Sequence, residues 1–318
     1  MNTNRFPILI AAAALLRCVI AVTAQNPGPV GGGAGRAGTP GDGLGFTDTP
    51  MLPGLPYHVH DPDRPHPRVV TPGTLPGAAP SDAIVLFDGK DLSQWTFERS
   101  GPGPGRGGAA GRAMTDEMRK RLEEAQSKQQ ASPPPLGWKL ENGYVEVIPG
   151  AGQMVSKEKF GDVQVHVEFQ MPENIQGRSQ NRGNSGVLLQ KRYEIQVLDS
   201  YRSPTYADGQ AGAIYGQWPP LVNACRKPGE WQTYDIVFEA PKFEGDKLVK
   251  PAYFTVFQNG VLLHNRQASM GPMVYRQVAN YTPQPAEDSL MLQNHNQPVR
   301  FRNIWVRRLG GYDDQPEK

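Results

Sequence analysis

The stretch Val163 to Phe169 alternates without exception: Val163, Val165, Val167 and Phe169 fall on one side, and Gln164, His166 and Glu168 on the other. A period of two is the signature of a strand with one face in a core. The pattern recurs in Gly143 to Val147, Gly186 to Leu189, Tyr193 to Leu198, Thr233 to Phe238, Tyr253 to Phe257, Val261 to His264 and Phe301 to Arg307. Asn259-Gly260 between two of these runs is a two-residue hairpin signal. Many short strands with turn residues between them and almost no helical period restrict the chain to an all-β sandwich or barrel. A run of about 230 residues is ordinary for one such domain, and we place it at residues 81–310, followed by a short tail, 311–318.

Composition matters where it departs from this texture. The 318 residues include 36 Gly and 31 Pro. Much of that excess lies in residues 25–80 and in residues 101–135. The first stretch has too few periodic apolar positions to offset its ordering entropy and reads as a flexible arm. Within it, Tyr57-His58-Val59-His60-Asp61 and His66 bring imidazoles near a carboxylate. This is either a metal site or a Pro-punctuated surface strap. The second stretch is an insertion. Met114, Met118, Leu122 and Ala125 share a helical face there, with Thr115 as N-cap.

The N-terminus reads as an export signal over residues 1–24. Arg5 precedes the apolar run Phe6 to Leu16, and Val22-Thr23-Ala24 offers a cleavage site, so a periplasmic or extracellular location is expected. No later segment is apolar enough to span a bilayer. A net charge of +2, without a basic tract, gives no field for nucleic acid. Cys18 lies in the leader, leaving Cys225 without an internal disulfide partner and read as an inert thiol.

Seven ordered blocks run from about residue 82 to 309. They are Leu86-Phe87-Asp88-Gly89-Lys90-Asp91-Leu92 with Trp95; Gly137-Trp138; Gly183-Asn184-Ser185-Gly186-Val187; Tyr193-Glu194-Ile195-Gln196-Val197-Leu198-Asp199-Ser200; Gly212-Ala213-Ile214-Tyr215; Gly229-Glu230-Trp231; and Leu292-Gln293-Asn294-His295 leading into Val299 to Trp305. Together they resemble the 3-keto-disaccharide hydrolase domain family. The resemblance implies a two-sheet jelly-roll sandwich of the concanavalin A-like lectin/glucanase type. It also implies a hydrolase acting on 3-keto-glycosides or 3-keto-disaccharides in a groove. Asn294 and Asn296 depart from the Asp and Gly more usual around that histidine, and the arm and insertion fall outside the pattern. The departures bear on substrate preference more than on fold.

On a strand, Glu194 and Gln196 project to one face, and Asp199 falls on the other unless a bulge intervenes. The spacing resembles the Glu-x-Asp-x-x-Glu signature of laminarinase-type enzymes, with Gln196 in place of the middle Asp. Five residues of strand span about 16 Å, too far for the 5–5.5 Å or so a retaining carboxylate pair requires. A 3-keto substrate needs no such pair. Its ketone acidifies the C2 hydrogen, a base removes it, the C1 substituent leaves, and water adds back. Glu194 or His295 is the candidate base, with Asp199 as a further catalytic candidate. Lys191, Arg192 or Tyr215 would steady the enolate oxygen. Asn184, Gln196, Gln293 and Trp218 are candidate contacts to the sugar. Asp199, Asp208 and Glu194 offer oxygen ligands for a hard cation such as Ca2+, though their spacing demands none. A non-catalytic carbohydrate-binding module and a conventional β-glucanase are the alternatives. Oligomeric state is not legible.

Overall fold

The computed structural model describes residues 45–99 and 135–312. The signal segment, the start of the arm, the helix expected over Met114 to Gln130 and most of the tail lie outside the described residues. The strands are β1 (Ile84–Phe87), β2 (Trp95–Glu98), β3 (Lys139–Glu141), β4 (Tyr144–Glu146), β5 (Gln153–Phe160), β6 (Val163–Gln170), β7 (Ser185–Leu189), β8 (Tyr193–Val197), β9 (Gln232–Glu239), β10 (Lys242–Glu244), β11 (Lys247–Lys250), β12 (Tyr253–Gln258), β13 (Val261–Ala268), β14 (Met273–Val274), β15 (Gln277–Val278), β16 (Asp288–Leu292) and β17 (Arg300–Arg308). Among the described residues there is no α-helix, and none long and apolar enough to cross a membrane.

Two antiparallel sheets carry the fold. One runs β13-β12-β9-β6-β17-β4-β3, with β1 also on β17. The other runs β2-β5-β16-β7-β8. The strand positions expected to face inward do so. Val163, Val165, Val167 and Phe169 are at most 1% exposed. They join Tyr193, Ile195 and Val197 of the other sheet in a single apolar cluster. Burial of both inner faces in one cluster is the packing of a β-sandwich. Asn259 and Gly260 both take positive φ, 53° and 80°, between β12 and β13, as a two-residue hairpin requires.

The Gly/Pro-rich arm departs from expectation. Residues 45–65 form one compact unit, and residue 66 onward belongs to another. In the first, Met51 bridges to His58, and the His58 ring bonds Thr49 O at 2.5 Å. The Asp61 carboxylate accepts from the backbone amides of His58 and Asp63. Asp61 therefore closes a turn. Among the described residues no three His, Cys, Asp or Glu gather to hold a metal.

In the second unit the Gly77 carbonyl accepts from Asn303 Nδ2 at 2.8 Å and Trp305 Nε1 at 2.9 Å, and Asp82 pairs with Arg307 at 2.8 Å. This segment is thus fastened to β17 through one backbone carbonyl and one ion pair. Apolar periodicity cannot register such an anchor.

Beneath Gly77 lies a buried charged cluster on the outward face of β6. His166 bonds Asp235 at 2.7 Å, approaches Glu168 at 3.8 Å and stacks on Trp305 at 5.1 Å. Gly77 sits at φ +81°, and a Cβ there would stand 3.1 Å from the His166 ring. Only glycine fits both constraints.

Burial alone would depress the imidazole, but its carboxylate partners outweigh it and raise its pKa to about 9. Burial would raise Glu168, but His166, Asn303 and Arg302 bring it down to about 2. A raised histidine stabilises fully below its unfolded value of about 6.5, and that contribution is lost as pH climbs through about 9. His166→Gln is therefore expected to cost about 3 kcal/mol near pH 6. The gap in urea midpoint from the parent should narrow as pH is raised to about 9.5. A gap that does not change with pH would show that the imidazole is neutral in the folded chain.

Candidate active site

The outward face of the β2-β5-β16-β7-β8 sheet carries three of the residues the sequence singled out, Glu194, Gln196 and Gln293. Strand pairing aligns Thr96, Val155, Met291, Leu188 and Glu194 in one row from edge to edge. The next row carries the pairs Glu98 with Gln153 and Gly186 with Gln196. Gln293 joins it, donating its backbone N–H to Gly186 O at 2.9 Å. Directly paired residues share a face, so Glu194 and Gln196 lie on one surface, as their parity predicts, and Gln293 joins them there.

Glu194 is 3% exposed. Its carboxyl makes no hydrogen bond or ion pair with any described residue. Burial raises its pKa to about 8. Room for it is made by Gly186, where a Cβ would stand 2.4 Å from Glu194 Oε1. This gives Gly186 of the Gly183-Asn184-Ser185-Gly186 block a steric role.

The free edge of β8 is covered by residues 212–218. Gln196 N donates to Ala213 O, Gly212 N to Gln196 O, and Tyr215 N to Glu194 O at 3.1 Å. This added backbone brings Tyr215 beside Glu194. The Tyr215 hydroxyl shares a 2.8 Å hydrogen bond with Tyr206. Burial, then the Tyr206 bond and the charges of Tyr206 and Glu194, push the Tyr215 phenol well up, so it remains protonated at neutral pH. Both phenols line a cavity of about 470 Å³ together with Asp208, Tyr275, Arg276 and Val278.

The other candidates are arranged as follows. Gln196 Nε2 reaches Asn184 Oδ1 at 3.2 Å, and Asn184 Nδ2 donates to Gln180 O at 2.8 Å, forming a buried amide cluster that leaves Gln196 Oε1 unpartnered. The Gln293 side-chain amide has no partner among the described residues. His295 is exposed on the loop that leaves β16. That loop is held by Asn294 Nδ2 to Ile148 O at 2.7 Å and by Gly150 N to Asn296 Oδ1 at 2.9 Å, and it continues into Gln297 and Pro298, which line a second cavity of about 500 Å³. The two Asn residues that set this segment apart are thus what fixes the loop.

Asp199 lies past the end of β8. It is 1% exposed, paired with Arg182 Nε at 2.5 Å, and accepts from Tyr201 N at 3.0 Å. Its charge is taken up locally, and it is not brought to Glu194 by strand pairing. Lys191 sits in the β7–β8 turn with its ammonium 3.2 Å from Glu98, and Arg192 faces Asp288 at 3.9 Å. The Trp218 indole donates to Ala268 O at 2.9 Å and packs against the core. Cys225 is half-buried, and burial raises its thiol, as an unreactive cysteine requires.

Tyr206, Gln153 and Gln180 were missed. Tyr206 and Gln180 sit in connecting loops with no period to read, and β5 alternates too weakly to mark Gln153.

This fold and site define an all-β protein with an unpartnered, nearly buried carboxyl on the edge strand of one sheet. Residues 82–307 match the family described as the 3-keto-alpha-glucoside-1,2-lyase-like domain, and the chain belongs to that family. It is similar to a crystal structure from Parabacteroides distasonis described as a "putative glycosyl hydrolase", with 41% identity over 81% of this chain and 100% of that one and a TM-score of 0.64. A second structure of the same description and organism shares 16% identity over 72% of this chain and 94% of that one, with a TM-score of 0.45. No curated protein matches the chain.

Proposed function

We propose that the protein is an exported carbohydrate-active enzyme that cleaves 3-keto-glycosides by eliminating the C1 substituent, and that its two sheets form a jelly-roll sandwich. The observation that carries the reading is Glu194, a carboxyl on the edge strand of one sheet, nearly buried and without a partner, next to a pair of neutral phenols. Family membership and the 41% identical structure described as a "putative glycosyl hydrolase" support glycoside cleavage.

A base poised near neutrality suits abstraction of the C2 hydrogen, which the C3 ketone makes acidic. Glu194 takes this proton, and the C–H electron pair moves into the C2–C3 enolate. Gln293 amide donors and the loop of His295 supply polar groups on the C3 side. Collapse of the enolate restores the ketone and forms C1=C2. It expels the C1 oxygen with its bonding pair, and that oxygen takes a proton from the Tyr206–Tyr215 pair. Tyr215 fits this role better than enolate stabilisation because its hydroxyl opens on the cavity. Water added across C1=C2 completes a net hydrolysis. Lys191 and Arg192, held by Glu98 and Asp288, take no part. Asp199 is committed to Arg182 and forms no glucanase-type pair with Glu194, which supports elimination.

The test compares phenyl β-glucoside with its 3-keto counterpart. Release of phenol from the keto form alone, with an unsaturated 3-keto product trapped early, is the expected result. Equal release from the plain glucoside would overturn the elimination. Release from neither, with binding retained, would leave a carbohydrate-binding module.

A further inference from the structure

The cavity beside the Tyr206–Tyr215 pair has features that a sugar alone does not require. Three phenol rings converge on it. Tyr275 and Tyr206 lie within electrostatic reach of one another and of Tyr215, and they remain 54% and 44% exposed. Large exposed rings at one spot cost solvation that a stacked ligand would recover.

Tyr275 and Arg276 form the tip of the β14–β15 hairpin, and Arg276 is held at φ 61°, a conformation that a non-glycine residue adopts at a cost. The hairpin is fastened to the site by Met273 N donating to Arg192 O at 2.7 Å, at the start of β8. Two charged groups also line the cavity, Asp208 and Arg276. Neither has an ion-pair or side-chain hydrogen-bond partner among the described residues. The site thus offers flat apolar faces, one unpaired acceptor and one unpaired guanidinium. A volume of about 470 Å³ falls in the range of pockets that enclose a small organic ligand.

We infer that this cavity is the leaving-group subsite and that it selects a planar phenolic aglycone, its ring stacked on Tyr275 and Tyr206 and its hydroxyls bonded to Asp208 and Arg276. The inference rests on the elimination reading, which puts the C1 oxygen at the Tyr206–Tyr215 pair. A saturated ring of the same size lacks the flat face that stacks on the phenol rings, so it gains less from the site. Tyr275 and Arg276 set specificity and touch no reacting atom.

The test separates binding from turnover. Calorimetry with 4-hydroxyphenyl β-glucoside and cyclohexyl β-glucoside, neither carrying a ketone, is expected to show at least about tenfold tighter binding of the aryl compound. That preference should be lost in Tyr275→Ala and kept in Tyr275→Phe. In kinetics, Tyr275→Ala should raise KM for the aryl 3-keto-glucoside about tenfold more than for the methyl 3-keto-glucoside, and remaining turnover of the methyl compound shows that the variant folds. Equal binding of aryl and cyclohexyl compounds, or an aryl preference that survives Tyr275→Ala, would overturn the inference. Failure of the wild type on methyl 3-keto-glucoside would count against the elimination reading, while the binding comparison would still decide the subsite.

Discussion

Glu194→Gln is expected to lower kcat/KM on a 3-keto-glucoside by about 10²–10⁴-fold, the usual contribution of a positioned general base. The amide fills the same space beside Gly186, so the loss would be chemical rather than structural. In the parent enzyme, kcat/KM should rise with pH and level off above an apparent pKa near 8, because burial holds the carboxyl protonated below that value.

Stability should move the opposite way. The folded carboxyl titrates above its ordinary 4.5. The folded chain therefore retains a proton that the unfolded chain releases between pH 4.5 and about 8, and parent stability falls across that window. The glutamine variant escapes this loss and should be more stable at pH 8, by on the order of 3 kcal/mol. A variant that keeps its rate within tenfold would remove Glu194 from the chemistry. One that loses both rate and stability at pH 8 would mark Glu194 as a packing residue.

Gly186→Ala is expected to be nearly as damaging. The added methyl would collide with Oε1, Cδ and Cγ of Glu194 at 2.4, 2.9 and 3.0 Å. The glutamate must then turn or shift by about an ångström, and a displacement of that size costs roughly 10²-fold in rate. Gly186 carries no positive φ, so the backbone accepts alanine and the fold should survive. The signature is a fall in kcat with a shifted pH profile, since a displaced carboxyl meets different solvation. Unchanged kcat and profile would show that Glu194 has room to move without consequence.

Both predictions depend on a packing relation that the linear sequence does not express. Gly186 and Glu194 are eight positions apart, and only the β7–β8 register, with Gly186 opposite Gln196 and Leu188 opposite Glu194, brings them together. The sequence marked both residues, one within a block that resembles the family and one as a candidate base, without connecting them. The opposite happened with Asp199. Its spacing suggested a catalytic partner, whereas the structure commits it to Arg182.

Alternation by itself determined the all-β class, the positions of β6, β7, β8, β9, β12 and β17 and their inward faces, and the β12–β13 turn. Period two and turn chemistry are local properties, set by neighbouring backbone geometry and by which residues tolerate positive φ. The tertiary structure alone decided the rest. It paired β16 with β5 and β7 to set Gln293 on the same sheet face as Glu194, laid residues 212–218 along β8 to bring Tyr215 to Glu194, and fastened the Gly77 carbonyl over His166. These contacts join distant segments, largely through backbone hydrogen bonds that any residue except proline can donate, so side-chain pattern carries no trace of them.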